Sequence, residues 1–192
     1  MTAEITDFTA EIPVWRPHVA PVALEDATGE QRDALKITPS NTKVSDYVLV
    51  LAHDPESLAA RTPLFNAIMY DRGGLSRAER ELGALGASVV NRCIYCAAVH
   101  ASRFNQLAKA PEVSAAVFAE GEDAALDPRR SAILRFAVRL SRCPSEAGPE
   151  EMAALRAAGL SEPEILDLIL SAALFGWANR LMHTLGVPVQ PE

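Results

Sequence analysis

The amino-acid sequence predicts an all-α fold in one domain that covers residues 1–192. With 192 residues, the chain is long enough to bury a sizeable core. Hydrophobic residues make up 49% of the sequence and aromatic residues 6%, and Ala and Leu dominate the apolar set. Apolar residues also recur at helical spacing, and proline repeatedly stands where a helix would start. These observations favour packed helices over a sheet.

Residues 1–23 are expected to form an extended N-terminal arm. Pro13, Pro17 and Pro21 interrupt this segment at short intervals. Proline lacks a backbone N–H and disrupts a helix interior, so the pattern suits an extended chain laid on a surface.

Three helices are predicted between the arm and the middle of the chain. Two short ones are expected around 26–35 and 43–52, where the apolar spacing is mixed. The third follows Asp54, a good N-cap residue, and covers Pro55 to Tyr70 before a Gly-Gly pair stops it.

The next two helices form the centre of the predicted fold. Ser76 and Glu79 make a capping box, so a helix should cover 77–91. A second helix should carry two cysteines and end before Pro111, because proline cannot continue it. The two helices form a pair within a central unit at 55–111.

The remaining chain is predicted to supply C-terminal helices over 128–187. The predicted segments after the central pair are 111–118, 128–141, 149–158 and 163–185. The Gly-Leu-Ser-x-x-Glu pattern at Gly74 recurs at Gly159, ahead of another long helix. A duplicated helical unit is therefore one possibility, and chance similarity between two helix starts is the other.

Composition excludes several classes of function. The formal net charge of −7 argues against a nucleic-acid partner. The longest apolar stretch, 168–178, is shorter than the about 20 residues that span a bilayer, so no membrane association is expected. The first residues lack the features of a secretory signal. Three cysteines, two of them in a C-x-x-C pattern, suit a reactive pair in a reducing cytoplasm.

Two cysteines and a histidine should share one face of the second central helix. At 100° per residue, Cys93, Cys96 and His100 lie within about 60° of one another. Cys96 and His100 are four residues apart and should touch, whereas Cys93 is about 10 Å from His100 along the axis. The histidine is therefore expected to serve Cys96.

This arrangement predicts thiol redox chemistry. A thiol reacts as the thiolate, and a helix N-terminus or a neighbouring imidazole lowers its pKa. Cys96 has both features, so we expect it to attack a peroxide and become a sulfenic acid. Cys93, three residues away, fits the role of the cysteine that condenses with it to a disulfide.

Glu81 is expected to complete the site from the preceding helix. It lies at the edge of that helix's apolar stripe, so its carboxylate should point partly inward and need a partner. An imidazole on the next helix would be oriented and made more basic by it. The predicted proton path runs from Cys96 through His100 to Glu81.

These residues resemble a known family. The pattern resembles the AhpD-like alkylhydroperoxidases of the carboxymuconolactone decarboxylase superfamily, within the branch of peroxidase-related enzymes. The resemblance is specific over 75–104, and the matching residues are Leu75, Ser76, Glu79, Glu81, Leu82, Asn91, Arg92, Cys93, Tyr95, Cys96 and His100.

The resemblance implies an AhpD-like helical bundle, a homo-oligomer, and peroxide reduction with Cys96 in the peroxidatic position. An external thiol or protein would then reduce the disulfide. The chain departs from the best-known peroxidases at Tyr95, where they have a second histidine. Tyr95 is therefore a secondary candidate that could hydrogen-bond a substrate.

The predicted function is an antioxidant thiol peroxidase without a metal or another cofactor. Three alternatives use the same residues differently. The protein could be a dithiol relay that passes electrons to another disulfide, or a decarboxylase-type lyase in which the cysteines are dispensable. It could also be an interaction protein in which Cys93, Cys96, His100 and a carboxylate hold zinc.

Overall fold

The computed structural model describes residues 3–35 and 44–191. Most of them are helical, as predicted. A single 3-10 turn, Gly121–Asp123, interrupts the helices. The described elements, in chain order, are β1 Val14–Pro17, α1 Gly29–Ala34, α2 Asp46–Leu51, α3 Pro55–Tyr70, α4 Arg77–Val90, α5 Ile94–Ala108, α6 Pro111–Glu120, α7 Pro128–Ser141, α8 Pro149–Ala157, α9 Glu162–Leu185 and β2 Gly186–Val189.

Local signals explain where the helices begin. The Ser76 side chain accepts from the backbone of Glu79, and the Glu79 side chain binds back to the Ser76 backbone, which forms the predicted capping box of α4. Asp54 caps α3 through Ser57 N–H at 3.1 Å. Helix α1 starts at Gly29, later than predicted, because Thr28 is its N-cap. The prediction for 43–52 begins outside the described residues, and α2 itself starts after Ser45.

Helix α4 lies at the centre of the core and packs against α5, α7 and α9. Every residue from 80 to 88 is buried. Two glycines let the neighbours approach closely: a Cβ on Gly83 would lie 2.6 Å from Leu168 Cδ1, and one on Gly86 would lie 3.2 Å from the Cβ of Ala137. The central helix therefore has no solvent-facing side over this stretch, which explains how a glutamate within it becomes fully buried.

Helix α9 is the one described helix that is long and apolar enough to cross a membrane by length and composition alone. Half of its most apolar 18-residue window is buried inside the structure. Its buried side, which includes Ile165 and Leu168, faces the core formed with α4 and α7. Packing within the fold accounts for this apolar character.

The N-terminal arm is extended over its described residues, as predicted, but it also forms a strand that the sequence analysis missed. Strands β1 and β2 pair antiparallel, with Trp15 opposite Pro188. The Trp15 indole N–H donates to the Met182 carbonyl at 3.3 Å. The arm is therefore anchored where α9 ends, close to the start of α5.

Candidate active site

A tight connection between α4 and α5 places the two cysteines. Arg92 adopts a left-handed backbone conformation (φ 51°), and the Cys93 N–H donates to the Ser88 carbonyl at 2.9 Å. Cys93 becomes the N-cap of α5, and its carbonyl accepts the first helical hydrogen bond from Ala97 at 2.9 Å. Cys96 therefore lies in the first turn of the helix, where the free N–H groups favour negative charge nearby.

The two thiols are buried, and their pKa values are shifted in opposite directions. Hydrogen bonds from the Cys96 thiol, the Cys96 backbone N–H and the Asn179 side chain lower the pKa of Cys93 despite its burial. The interaction with Cys93, together with burial, raises the pKa of Cys96. Of the two thiols, Cys93 is therefore the more readily ionised. The lower pKa was predicted for Cys96; the reverse is found because the neighbouring Cys93 and burial outweigh the hydrogen bond that Cys96 receives from Asn179.

Glu81 and His100 form a buried pair between α4 and α5. Their side chains are 0% and 1% exposed, and Glu81 Oε2 accepts from His100 Nδ1 at 2.5 Å. The other carboxylate oxygen accepts from Arg77 Nε at 2.8 Å. The His100 ring packs edge-on against Phe175, with 4.0 Å between ring centroids. These contacts fix the orientation of the His100 imidazole, and Glu81 is the partner that the sequence predicts for it.

The protonation of this pair follows from its surroundings. Burial would raise the pKa of Glu81, but His100 and Arg77 outweigh it and hold that pKa below its usual value. Burial lowers the pKa of His100, and Glu81 offsets this only in part. Glu81 is therefore ionised and His100 neutral near pH 7. With Nδ1–H bound to Glu81, the Nε2 lone pair is available as a base.

Cys96 and His100 both line a cavity of about 150 Å³. Among the described residues, the hydrogen bond of the His100 ring goes to Glu81, and none joins it to Cys96. The cavity wall also contains Tyr95 and, from α3, Arg61. A small molecule in this cavity would meet both the thiol and the imidazole.

Cys93 faces a different cavity, of about 240 Å³, between the arm and the start of α5. Trp15, Arg92 and Gly186 contribute to its wall. Tyr95, the secondary candidate, lines both cavities, and burial raises its pKa, which keeps the phenol protonated. The two sulfurs of the pair are thus reached from opposite sides.

Several residues around the pair were not identified from the sequence. Asn179 on α9 donates to Ser88 Oγ at 3.2 Å and accepts from Asn91 at 3.2 Å, in addition to its effect on Cys93. Arg61 lies more than thirty positions before the cysteines, and nothing in its neighbourhood links it to them. Asn179-Arg180 repeats the dipeptide Asn91-Arg92, and this short repeat is a sequence signal that could have found Asn179.

The described residues contain no group of three or more His, Cys, Asp and Glu side chains arranged to hold a metal ion. Glu81 is occupied by His100 and Arg77. The arrangement therefore gives no support to the zinc alternative. The third cysteine, Cys143, is exposed.

Comparison with known proteins gives a family-model match over part of the chain and solved structures with a similar fold. The carboxymuconolactone decarboxylase family model matches residues 55–139. The chain is 28% identical to an AhpD-core, peroxidase-related protein from Ralstonia eutropha JMP134, with a TM-score of 0.76 and coverage of 90% of both chains. It is 25% identical to a peroxidase-related protein from Silicibacter sp. TM1040, with a TM-score of 0.73 and coverage of 88% of this chain and 91% of the other.

A third solved structure, that of the debrominase Bmp8, shares the fold at 18% identity, with a TM-score of 0.73 and coverage of 88% and 90% of the two chains. A comparison with curated proteins finds no match.

Proposed function

We propose that this chain, whose residues 55–139 match the carboxymuconolactone decarboxylase family model and whose fold is AhpD-like, is a thiol peroxidase that reduces hydrogen peroxide or organic hydroperoxides. One observation carries the proposal. Cys96 opens into the same cavity as a neutral imidazole whose tautomer is set by an ionised, fully buried Glu81. Such a base can take a thiol proton at neutral pH.

In the proposed first step, His100 Nε2 takes the Cys96 proton through a bound water or the hydroperoxide itself. The Cys96 thiolate then attacks the outer peroxide oxygen, the O–O bond breaks, and the proton passes to the leaving alkoxide. The products are an alcohol, or water from hydrogen peroxide, and a sulfenic acid on Cys96. Sulfur is oxidised by two electrons and the peroxide is reduced by two.

In the proposed second step, Cys93 attacks the Cys96 sulfenic sulfur and expels the oxygen as water after protonation. The lowered pKa of Cys93 favours this step, because it raises the thiolate fraction of the resolving sulfur. The lower pKa of Cys93 is thus compatible with attack by Cys96. The net change is one peroxide reduced and two thiols converted to a disulfide.

We propose that the reductant reaches the disulfide from the other side. A thiol in the cavity near the arm would attack the Cys93 sulfur and release Cys96 as the leaving thiolate. A second reductant thiol would then resolve the mixed disulfide. The cytoplasm supplies such thiols, and we propose it as the location. We also propose a homo-oligomer, as the family resemblance implies.

A dithiol relay is the second candidate, favoured by the cavity beside Cys93 and by the lowered pKa of this thiol. A relay would exchange rapidly with small disulfides and react slowly with peroxide. A lyase would work without either cysteine. Measuring the rate of exchange with a small disulfide and the rate of reaction with peroxide on the same protein separates a relay from a peroxidase.

The deciding experiment measures consumption of hydrogen peroxide and cumene hydroperoxide in the presence of dithiothreitol. We expect turnover by the native protein, loss of turnover in Cys96→Ser, and full turnover in Cys143→Ser, the matched control at an exposed cysteine. Mass spectrometry after one equivalent of peroxide should show a disulfide between Cys93 and Cys96. Full turnover by Cys96→Ser would overturn the proposal.

A further inference from the structure

We infer that the cavity beside Cys96 binds an organic acid about one aromatic ring in size, with its anionic group held by Arg61 and Tyr47. This inference rests on the proposed function in one respect, since it names the class of hydroperoxide that the enzyme would prefer. The binding part of it concerns the cavity alone and is tested separately.

Arg61 is a cation placed in the cavity wall without an anion. Its Nε is buried and has no hydrogen-bond partner among the described residues, and none of the described carboxylates pairs with it. It stacks over Phe65, 4.4 Å from the ring centroid. Arg80, an arginine at 3% exposure whose Nε also lacks a partner, has Asp167 at 2.8 Å and two backbone carbonyls on its other nitrogens. Arg61 therefore bears a desolvation cost that a bound anion would offset.

Tyr47 supplies a second donor at the same place. Its hydroxyl is buried and has no hydrogen-bond partner within 3–35 and 44–191. Burial raises its pKa far above the usual value, so the phenol stays protonated and can donate. Tyr47 and Arg61 line the same cavity, and the charge of Arg61 acts on the Tyr47 hydroxyl. A carboxylate can accept from both at once.

The charge of the cavity wall favours an anion. Arg61 and Arg103 both contribute to it, and no aspartate or glutamate is among the described lining residues. This contrasts with the chain as a whole, whose net charge is −7. The positive charge is therefore a local property of the cavity, and it lies beside the reactive sulfur.

The volume of the cavity and its apolar lining residues indicate the rest of the ligand. Phe65 and Phe175 line the cavity and provide flat apolar faces. The volume of about 150 Å³ equals that of an engineered apolar cavity of about 150 Å³ that binds benzene. A single ring or a short alkyl chain fits this volume. An acid anchored on Arg61 would then present a hydroperoxide group to Cys96.

The binding test uses benzoate as the probe and benzyl alcohol as its neutral counterpart, measured by calorimetry on the full-length reduced protein without peroxide. We expect benzoate to bind about 10- to 100-fold more tightly, in line with a charge-assisted hydrogen bond. Arg61→Gln should remove that preference, and Arg61→Lys should keep part of it. Arg135→Gln, an exposed arginine on α7, should bind as the native protein does.

Two outcomes would overturn the inference: equal binding of benzoate and benzyl alcohol, or unchanged benzoate affinity in Arg61→Gln. If Arg61→Gln fails to fold, two other measurements decide. Loss of the hydroxyl in Tyr47→Phe should weaken the binding of benzoate but not of benzyl alcohol, and added salt should do the same to the native protein.

Turnover distinguishes this inference from the proposed function. A carboxylated cumene hydroperoxide should have a lower KM than cumene hydroperoxide, and Arg61→Gln should raise the KM of the acid alone. If benzoate binding depends on Arg61 but no peroxide is consumed, the inference stands and the peroxidase proposal fails. If both hydroperoxides are reduced with equal KM and Arg61 has no effect, the peroxidase stands and the inference fails.

Discussion

Glu81 Oε2 accepts the Nδ1–H of His100 at 2.5 Å, and neither side chain is exposed to solvent by more than 1%. The carboxylate comes from the middle of α4 and the imidazole from α5, nineteen positions later. Because burial keeps His100 neutral and Glu81 keeps the proton on Nδ1, the other ring nitrogen is left as a base. The first prediction concerns this hydrogen bond.

Glu81→Gln should lower kcat/KM for peroxide about 100-fold, because the imidazole loses the anion that orients it. The negative charge of Glu81 raises the pKa of His100, so its removal should also shift the acid limb of the pH–rate profile to lower pH. Single-turnover rates between pH 5 and 8 measure both effects. Glu79→Gln is the control, since Glu79 pairs with Arg129 at 2.5 Å and lies outside the site. An unshifted profile in Glu81→Gln would show that Glu81 is only structural.

The native fold should lose stability as the pH falls from about 7 towards 5. The pKa of His100 in the folded state is below its ordinary value, through burial and the nearby Arg103 and Arg77. Between about pH 7 and 5, the His100 imidazole binds a proton in the unfolded chain but not in the native fold. The free energy of unfolding therefore decreases by up to about 1.4 kcal/mol for each unit by which the pH is lowered. Glu81, whose folded pKa is also lowered, adds to the loss at more acidic pH.

Urea denaturation of the native protein and of His100→Gln at several pH values measures this dependence. The variant should show a flatter dependence of the midpoint between pH 7 and 5, whatever its absolute stability. Parallel dependences in the two proteins would contradict the assignment to His100.

Sulfenic acid should form on Cys96 and not on Cys93. In the Cys93→Ser/Cys143→Ser variant, one equivalent of peroxide should give a stable sulfenic acid that dimedone traps, because the resolving thiol is missing. The Cys96→Ser/Cys143→Ser variant should react much more slowly, since Cys93 faces the other cavity, away from His100. Mass spectrometry of the adducts decides. Faster trapping on Cys93 would reverse the two roles.

Asn179→Leu should raise the pKa of Cys93 towards its usual value. The amide contributes to the lowered pKa of this thiol and also binds Ser88 and Asn91, so its loss should cost about 1–3 kcal/mol of stability. Ultraviolet titration of the thiolate, in the Cys96→Ser/Cys143→Ser background, measures the pKa. Asn105→Leu is a matched control, because Asn105 binds Ser114 at 2.9 Å farther along α5. An unchanged thiol pKa in Asn179→Leu would remove Asn179 from the site.

Gly186→Ala should displace the arm and expose Cys93. The added Cβ would lie 2.4 Å from the Trp15 ring and 2.6 Å from the Arg16 carbonyl, so β1 and β2 could not keep their spacing. We expect a loss of about 1–3 kcal/mol and faster alkylation of Cys93 by a bulky maleimide. Gly29→Ala has no atom within 4 Å of its new Cβ and should have neither effect. Equal alkylation rates in the two variants would show that the arm does not cover Cys93.

Much of the fold could be predicted because helix signals are local. The capping box at Ser76 and the N-cap at Asp54 place the starts of α4 and α3 without reference to the rest of the chain. The strand at Gly186–Val189 could not be predicted in the same way, because its partner lies at the opposite end of the sequence. Pairing over that separation depends on where α9 ends, which no short pattern encodes.

The sequence by itself determined that two cysteines and a histidine share the first turns of α5, because the backbone geometry of a helix fixes which residues share a face. Only the tertiary structure decided how those residues divide the chemistry. The pKa of Cys93 is lowered because Cys96 at the start of α5 and Asn179 from α9 hydrogen-bond to its sulfur, and Cys96 faces a cavity to which α3 supplies Arg61. Burial, hydrogen bonding and charge at a sulfur depend on elements that are distant in the chain, and those three properties set its pKa.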